Sequence, residues 1–215
     1  MEMILSPSIL SADIAALGKQ IETLENAGVN WVHIDVMDGM FVPNLSFGFP
    51  VVTSLRRTTS LVLDVHLMIQ EPERYLSRFI AAGADIVTFH AEATDDIDKC
   101  IGIIKGKGTK AGLAVSPGTP YDVVLPYLDK VDMILCMTVE PGYGGQKYLK
   151  EVESKIKKLR ELAGDDMLIQ VDGGICPGNI IEPIKAGANV IVAGSAVFNG
   201  DIEENIKELT ECARL

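Results

Sequence analysis

Three apolar runs of the sequence end in ionisable residues: His33-Ile34-Asp35-Val36-Met37-Asp38-Gly39, Asp64-Val65-His66-Leu67-Met68 and Gln170-Val171-Asp172-Gly173-Gly174. In a β-strand residues i and i+2 share a face. His33, Asp35 and Met37 therefore point one way, and Val32, Ile34 and Val36 the other. The second run again puts a carboxylate, an imidazole and a methionine on one face. A lone His-x-Asp pair is commonly a satisfied core pair. Three such strand ends point to one shared site, because each isolated buried carboxylate would cost several kcal/mol. Two His and two Asp suit a divalent cation of hard-to-borderline character.

The elements needed to bring these ends together can be read along the chain. Apolar, β-prone segments are expected as strands at 4–8, 31–37, 61–66, 86–90, 111–116, 133–137, 168–172 and 190–193. Helical spacing follows each of them. Leu17, Ile21 and Leu24 lie on one helix, capped by Ser11 or Asp13 and stopped at Ala27-Gly28. A long loop, 38–48, leads to a helix ending near Arg56-Arg57. Glu71-Pro72-Glu73 opens the next helix, which Ala82-Gly83 closes. Further helices are expected at 95–107, 120–128 (short), 147–162 (long and amphipathic), 177–186 and 201–213. Ala27-Gly28-Val29-Asn30, Ala82-Gly83-Ala84-Asp85 and Ala186-Gly187-Ala188-Asn189 reuse one helix-to-strand joint. Regular alternation implies parallel strands. Eight such units predict an α/β fold closed into a TIM (β/α)8 barrel, a single catalytic domain over residues 1–215, with its site at the C-terminal strand ends. An open doubly wound sheet is the runner-up, but no G-x-G-x-x-G follows the first strand.

Composition narrows the partners. The 215 residues carry a formal net charge of −11, which argues against nucleic acid and anionic membrane surfaces. No apolar run reaches transmembrane length, and no basic segment precedes an apolar stretch at the N-terminus, so no signal peptide is expected. Cys100, Cys136, Cys176 and Cys212 stand far apart and read as free thiols of a reducing compartment, hence a cytoplasmic enzyme.

In a barrel the rim would carry Ser8, His33, Asp35, Met37, His66, Met68, His90, Met137, Asp172 and Ser195. Glycine-rich turns at 141–146, Gly173-Gly174 and Gly194-Ser195 follow adjacent strands, where backbone amides and helix N-termini form an anion site. The rim loops 8–18, 36–48, 67–73, 91–98, 116–122, 137–146, 173–182 and 194–204 contain no Lys or Arg. A phosphate would thus be held by neutral amide dipoles, and the acidic rim would favour a cation. The methionines would form a polarisable wall. His90 is expected to hydrogen-bond rather than ligate, and Cys176 to be incidental.

Taken together, SPSILSAD (6–13), HIDVMDGMFVPN (33–44), LDVHLM (63–68), MTVEPGYGGQK (137–147), VDGGI (171–175) and AGSAVF (193–198) resemble the ribulose-phosphate 3-epimerase family, essentially end to end. The resemblance implies a TIM barrel with one divalent metal ion, and a homo-oligomer. It implies that His33, Asp35, His66 and Asp172 ligate the metal and that Asp35 and Asp172 are the catalytic acid/base pair. It implies substrate contacts from Ser8, His66, Gly142, Tyr143, Gly144, Gly145, Gly173, Gly174, Gly194 and Ser195. Tyr143, where the family often has Phe, and Cys176 are mild departures. The implied reaction interconverts D-ribulose 5-phosphate and D-xylulose 5-phosphate through an enediolate. Rivals are a 3-epimerase of a phosphorylated ketohexose such as D-allulose 6-phosphate, a phosphosugar decarboxylase or aldolase, and a non-catalytic sugar-phosphate or metal-binding barrel. A Schiff-base aldolase would need a strand-end Lys, and none is found. Two nitrogen and two oxygen ligands suit zinc, iron(II), manganese or cobalt.

Overall fold

Eight parallel strands, with helices between them, wrap into one nearly closed barrel. The computed structural model describes residues 3–214; residues 1–2 and 215 of the expected 1–215 domain lie outside the described residues. The strands are β1 (Ile4–Pro7), β2 (Trp31–Met37), β3 (Val62–Met68), β4 (Ile86–His90), β5 (Lys110–Val115), β6 (Met133–Met137), β7 (Leu168–Asp172) and β8 (Val190–Ala193). Hydrogen-bonded neighbours run β1-β8-β7-β6-β5-β4-β3-β2. The remaining seam, between β1 and β2, is joined by a single parallel bridge, Ser8 to His33.

Both sheet faces are covered, which explains why the strands read as nearly continuous apolar runs; β2 is buried at every position. Outward side chains such as Ile34, Leu63, Val65 and Leu67 pack beneath the helices. Inward, Trp31, Ile86, Met133 and Val190 plug the N-terminal end. The polar inward residues therefore collect at the other end. Register decides which of them meet: His33 lies opposite Asp64, Asp35 opposite His66, and Met37 opposite Met68.

The helices are α1 (Leu17–Asn26), α2 (Phe49–Thr58), α3 (Leu76–Ala82), α4 (Ile97–Lys105), α5 (Glu153–Ala163), α6 (Ile181–Ala186), α7 (Ser195–Phe198) and α8 (Ile202–Cys212). No helix among the described residues is long and apolar enough to cross a membrane. Asp96 and Asp201 cap α4 and α8, accepting from the Lys99 and Glu204 amides at 2.9 and 3.0 Å. The repeated Ala-Gly joint also has a physical basis. Gly83 and Gly187 turn the chain at φ 111° and 116°. The Asp or Asn two residues later reaches back to the preceding strand: Asp85 accepts from Leu63 N at 2.8 Å and Asn189 from Ile169 N at 2.7 Å.

Several helices differ from the sequence expectation. The region 147–162 does not start as helix. Leu149 N donates to Thr138 O at 2.8 Å, holding 147–149 against the end of β6, and α5 begins only at Glu153. Residues 120–128 form a 3-10 helix, Tyr121–Tyr127, with Pro126 inside it; proline has no N–H for an α-helical bond. Pro72–Arg74 is likewise a 3-10 turn before α3, and 177–180 is a turn before α6. Asp13 caps a 3-10 turn, Ile14–Ala16, rather than α1 itself. Strand β3 runs two residues past His66, to Met68.

Candidate active site

The polar layer lies at the C-terminal strand ends. His33 and Asp35 come from β2, His66 from β3 and Asp172 from β7, and one ligand atom from each lies within 4.8 Å of all the others. His33 Nε2 is 3.3 Å from His66 Nδ1 and 3.2 Å from Asp35 Oδ1. His66 Nδ1 is 3.1 Å from the same carboxylate oxygen. Asp172 Oδ2 stands 3.8 and 3.7 Å from these two nitrogens. Nitrogen and carboxylate oxygen atoms thus face one another around a common centre. Edges of this length match the roughly 3.3–3.5 Å expected between ligands about 2.0–2.2 Å from a shared ion. The group could hold a metal ion.

Each imidazole is held from behind. His33 Nδ1 donates to Asp64 Oδ2 at 2.7 Å. That oxygen also accepts from Gln170 Nε2 at 2.5 Å and from Ser6 Oγ at 3.4 Å. His66 Nε2 is 2.9 Å from His90 Nε2, and His90 Nδ1 is 3.2 Å from Glu92 Oε2. Ser8 Oγ donates to Asp35 Oδ2 at 2.5 Å, so the β1/β2 seam and the site share residues.

The electrostatics call for positive charge. Burial alone would lower the pKa of His33, but the Asp35 and Asp64 carboxylates outweigh it and hold it well above the usual imidazole value. Burial disfavours charge on Asp35, yet His33 and His66 keep its carboxyl far below the usual carboxylate range. Asp172 moves the other way, up to about 7, through burial and the nearby Asp35 charge. Burial keeps His66 and His90 neutral, His90 being lowered to about 4. Burial opposes ionisation of Glu92, but hydrogen bonds from His90, Thr119 and Ser116 hold it ionised, near 2. A divalent cation would displace the protons of His33 and Asp172.

Above this layer opens a cavity of about 230 Å³. Asp35 and Asp172 reach its floor, whereas His33 and His66 lie fully buried beneath it. Met37, Met68 and Met137 form part of its wall, and no Lys or Arg among the described residues lines it. Gly174 shows why the turn after β7 is glycine: its φ is +69°, and a Cβ there would come within 2.5 Å of Tyr148 N.

A family model described as the Ribulose-phosphate 3 epimerase family matches residues 4–198. The chain belongs to the ribulose-phosphate 3-epimerase family. The ribulose-phosphate 3-epimerase of Bacillus subtilis is 48% identical to it over 209 residues, 95% of this chain and 96% of that one. The chloroplastic ribulose-5-phosphate-3-epimerase of Arabidopsis thaliana is 48% identical, over 99% of this chain and 78% of its own length. Among solved structures, 3-hexulose-6-phosphate synthase superposes with a TM-score of 0.75 at 18% identity, covering 98% of this chain and 99% of that one; that likeness shows the TIM-barrel fold.

Ribulose-phosphate 3-epimerase family membership makes the chain an enzyme of the epimerase class, as its sequence resemblance implied. The residues expected at the site can now be located. His33, Asp35, His66 and Asp172 are brought together. Ser8, Gly142, Tyr143, Gly144, Gly145, Gly173, Gly174, Gly194 and Ser195 all line the cavity. His66 does not line it, because the floor covers the ring. Cys176 is exposed at the cavity edge. Lys155 reaches the rim loop after β5, donating to Ser116 O and Pro117 O at 2.9 Å, but stays outside the cavity. Asp64, Gln170 and Glu92 were assigned no role from sequence. The signal for Asp64 was present in the Asp-x-His-x-Met run, whereas Glu92 carried none.

Proposed function

We propose that this protein epimerises C3 of D-ribulose 5-phosphate to give D-xylulose 5-phosphate, with Asp35 and Asp172 as the acid/base pair. The observation that carries the reading is the floor itself. Two carboxyl groups from different strands meet there with acidities driven in opposite directions. Inverting a carbon next to a ketone needs one base ionised and one acid protonated on opposite sides of a planar enediolate. One Asp takes the C3 proton from one face; the other delivers its own to the opposite face. Reversing these roles serves the reverse reaction. Ser8, donating to Asp35 Oδ2, fixes that carboxylate's orientation.

His33, Asp35, His66 and Asp172 would hold the divalent ion, for which zinc, iron(II), manganese and cobalt fit the donor set. Such an ion supplies Lewis-acid stabilisation of the negative charge that develops on the sugar oxygens. We read Gly142, Tyr143, Gly144, Gly145, Gly173, Gly174, Gly194 and Ser195 as the phosphate and sugar contacts, because they line a cavity free of basic side chains. Met37, Met68 and Met137 offer soft apolar surface to the flat intermediate and limit water. Cysteines without disulfides among the described residues support a reducing, cytoplasmic setting. Met40 and Leu45, each 74% exposed, support a homo-oligomer.

The test is an assay on ribulose 5-phosphate with defined metals, before and after chelation. Turnover that is lost on chelation and restored by one divalent ion is expected. Full activity without metal would overturn the site assignment. Faster turnover of allulose 6-phosphate would move the reading to a ketohexose phosphate, and binding without turnover would leave a non-catalytic barrel.

A further inference from the structure

The two imidazoles of the site present different atoms to its centre: His33 through Nε2 and His66 through Nδ1. A ring that ligates through Nδ1 must carry its hydrogen on Nε2. In His66 that nitrogen faces the third histidine, His90, Nε2 to Nε2 at 2.9 Å. One of these two nitrogens donates and the other accepts.

The far end of the chain decides which. Glu92 Oε1 accepts from Ser116 N at 2.8 Å and also from the Thr119 hydroxyl. Its other oxygen, Oε2, is thereby aimed at His90 Nδ1, 3.2 Å away. A carboxylate whose first oxygen is already taken by two donors acts as an acceptor at the second. His90 then carries its hydrogen on Nδ1 and offers a bare Nε2, which accepts from His66 Nε2–H. The arrangement is clamped. The His90 ring stacks on His66 with centroids 5.0 Å apart and touches Phe41 at 4.9 Å. Lys155 pins the loop that holds Glu92.

We propose that Glu92, acting through His90, is a positioning residue that fixes His66 in its Nε2–H tautomer and so aims a bare Nδ1 at the metal. This rests on the metal-site reading above. Outer groups of this kind commonly change metal affinity by about 10–100-fold.

Two measurements test it. In the zinc-loaded wild-type protein, ¹⁵N–¹H long-range spectra of labelled histidines should show hydrogen on Nε2 of His66 and Nδ1 of His90. Hydrogen on Nε2 of His90 overturns the proposal and needs no variant to do so. Zinc competition against a chromophoric chelator should show Glu92→Gln binding about 10–100-fold more weakly. A glutamine keeps the size, but its NH2 must face either His90 Nδ1–H or the Ser116 and Thr119 donors. Thr119→Val, which frees only one anchor of Glu92, should weaken zinc by a smaller factor. A folded Glu92→Gln protein with wild-type zinc affinity refutes the inference alone. A wild-type protein that holds no zinc or other divalent ion refutes the metal site itself.

Discussion

Asp64 offers the sharpest test of how the site is built. Its Oδ2 accepts from His33 Nδ1 at 2.7 Å, Gln170 Nε2 at 2.5 Å and, more weakly, Ser6 Oγ at 3.4 Å, while its buried Oδ1 has no hydrogen-bond partner among the described residues. Asn at this position can therefore put its carbonyl oxygen where Oδ2 sits and its amide where Oδ1 sits. The hydrogen bonds to Oδ2 survive, but to a neutral acceptor, and the new amide finds no acceptor at the Oδ1 position. Bonds to charged groups contribute about 1.5–3 kcal/mol and neutral ones about 0.5–1.5. Downgrading the two short ones alone should cost about 1–3 kcal/mol. Asp64→Ala strands the buried His33, Gln170 and Ser6 donors and should cost about 3–5 kcal/mol. Denaturant unfolding of the metal-free variants measures both losses. The more telling readout is zinc affinity of Asp64→Asn, expected to fall about 10–100-fold because His33 loses its anionic partner. An Asp64→Asn protein that unfolds like wild type and holds zinc equally well would refute the argument that this carboxylate orients and polarises His33.

Three further outcomes follow from the same geometry. In deuterated water, product formed early should carry one deuterium at C3; Asp35→Asn and Asp172→Asn should each stop net conversion, with metal content measured alongside. Product that keeps its original C3 hydrogen would exclude a two-base route. Gly174→Ala, at φ +69° and against Tyr148 N, should destabilise by about 2–4 kcal/mol from left-handed strain and displaced backbone, and should raise KM for the phosphorylated sugar; an unchanged melting curve would contradict it. The folded metal-free protein binds the protons of His33 and Asp172 more tightly than the unfolded chain does. The Asp172 contribution to stability is full below its unfolded value of about 4 and gone once pH has risen through about 7, and that of His33 is lost above the unfolded imidazole value of about 6.5. His66 and His90, lowered by burial, act in the opposite sense below about pH 6.5, so the net fall should show above it: melts of the metal-free protein should fall between about pH 6.5 and pH 8 as the advantage of His33 is lost, while the zinc-loaded protein stays flatter; a metal-free protein that gains stability across that range would contradict the assigned acidities.

Much of this was legible in the sequence. Alternation placed His33, Asp35, His66 and Asp172 on inward faces, and eight strand–helix units implied the ring that gathers them. Alternation does not, however, say how far up the barrel a residue sits. Asp64 and Asp35 both lie two positions from a histidine, but strand register puts Asp64 opposite His33 and one layer lower, and Asp35 opposite His66 at the floor. That offset of two residues between β2 and β3 is a property of the closed sheet. Glu92 is further out of reach. It lies in a turn past β4 and meets His90 only because the 116–119 loop holds its other oxygen. The start of α5 failed for a similar reason, since the amphipathic spacing from residue 147 is real but Leu149 N is taken by Thr138 O.

The cavity's lack of basic residues bears on how a ligand arrives. Most phosphate-binding enzymes draw their anions in with a positive field that raises encounter rates. Here a protein of net charge −11 presents amide dipoles that act only at contact range. On the proposed function, a doubly charged sugar phosphate would approach uphill until it touched the glycine turns. Added salt should therefore quicken capture by screening the repulsion over a Debye length of about 10 Å at 0.1 M. On that reading the barrel would trade speed at a distance for selectivity at the surface: anions would not be gathered indiscriminately, and a phosphate would need a sugar able to reach the buried floor in order to stay.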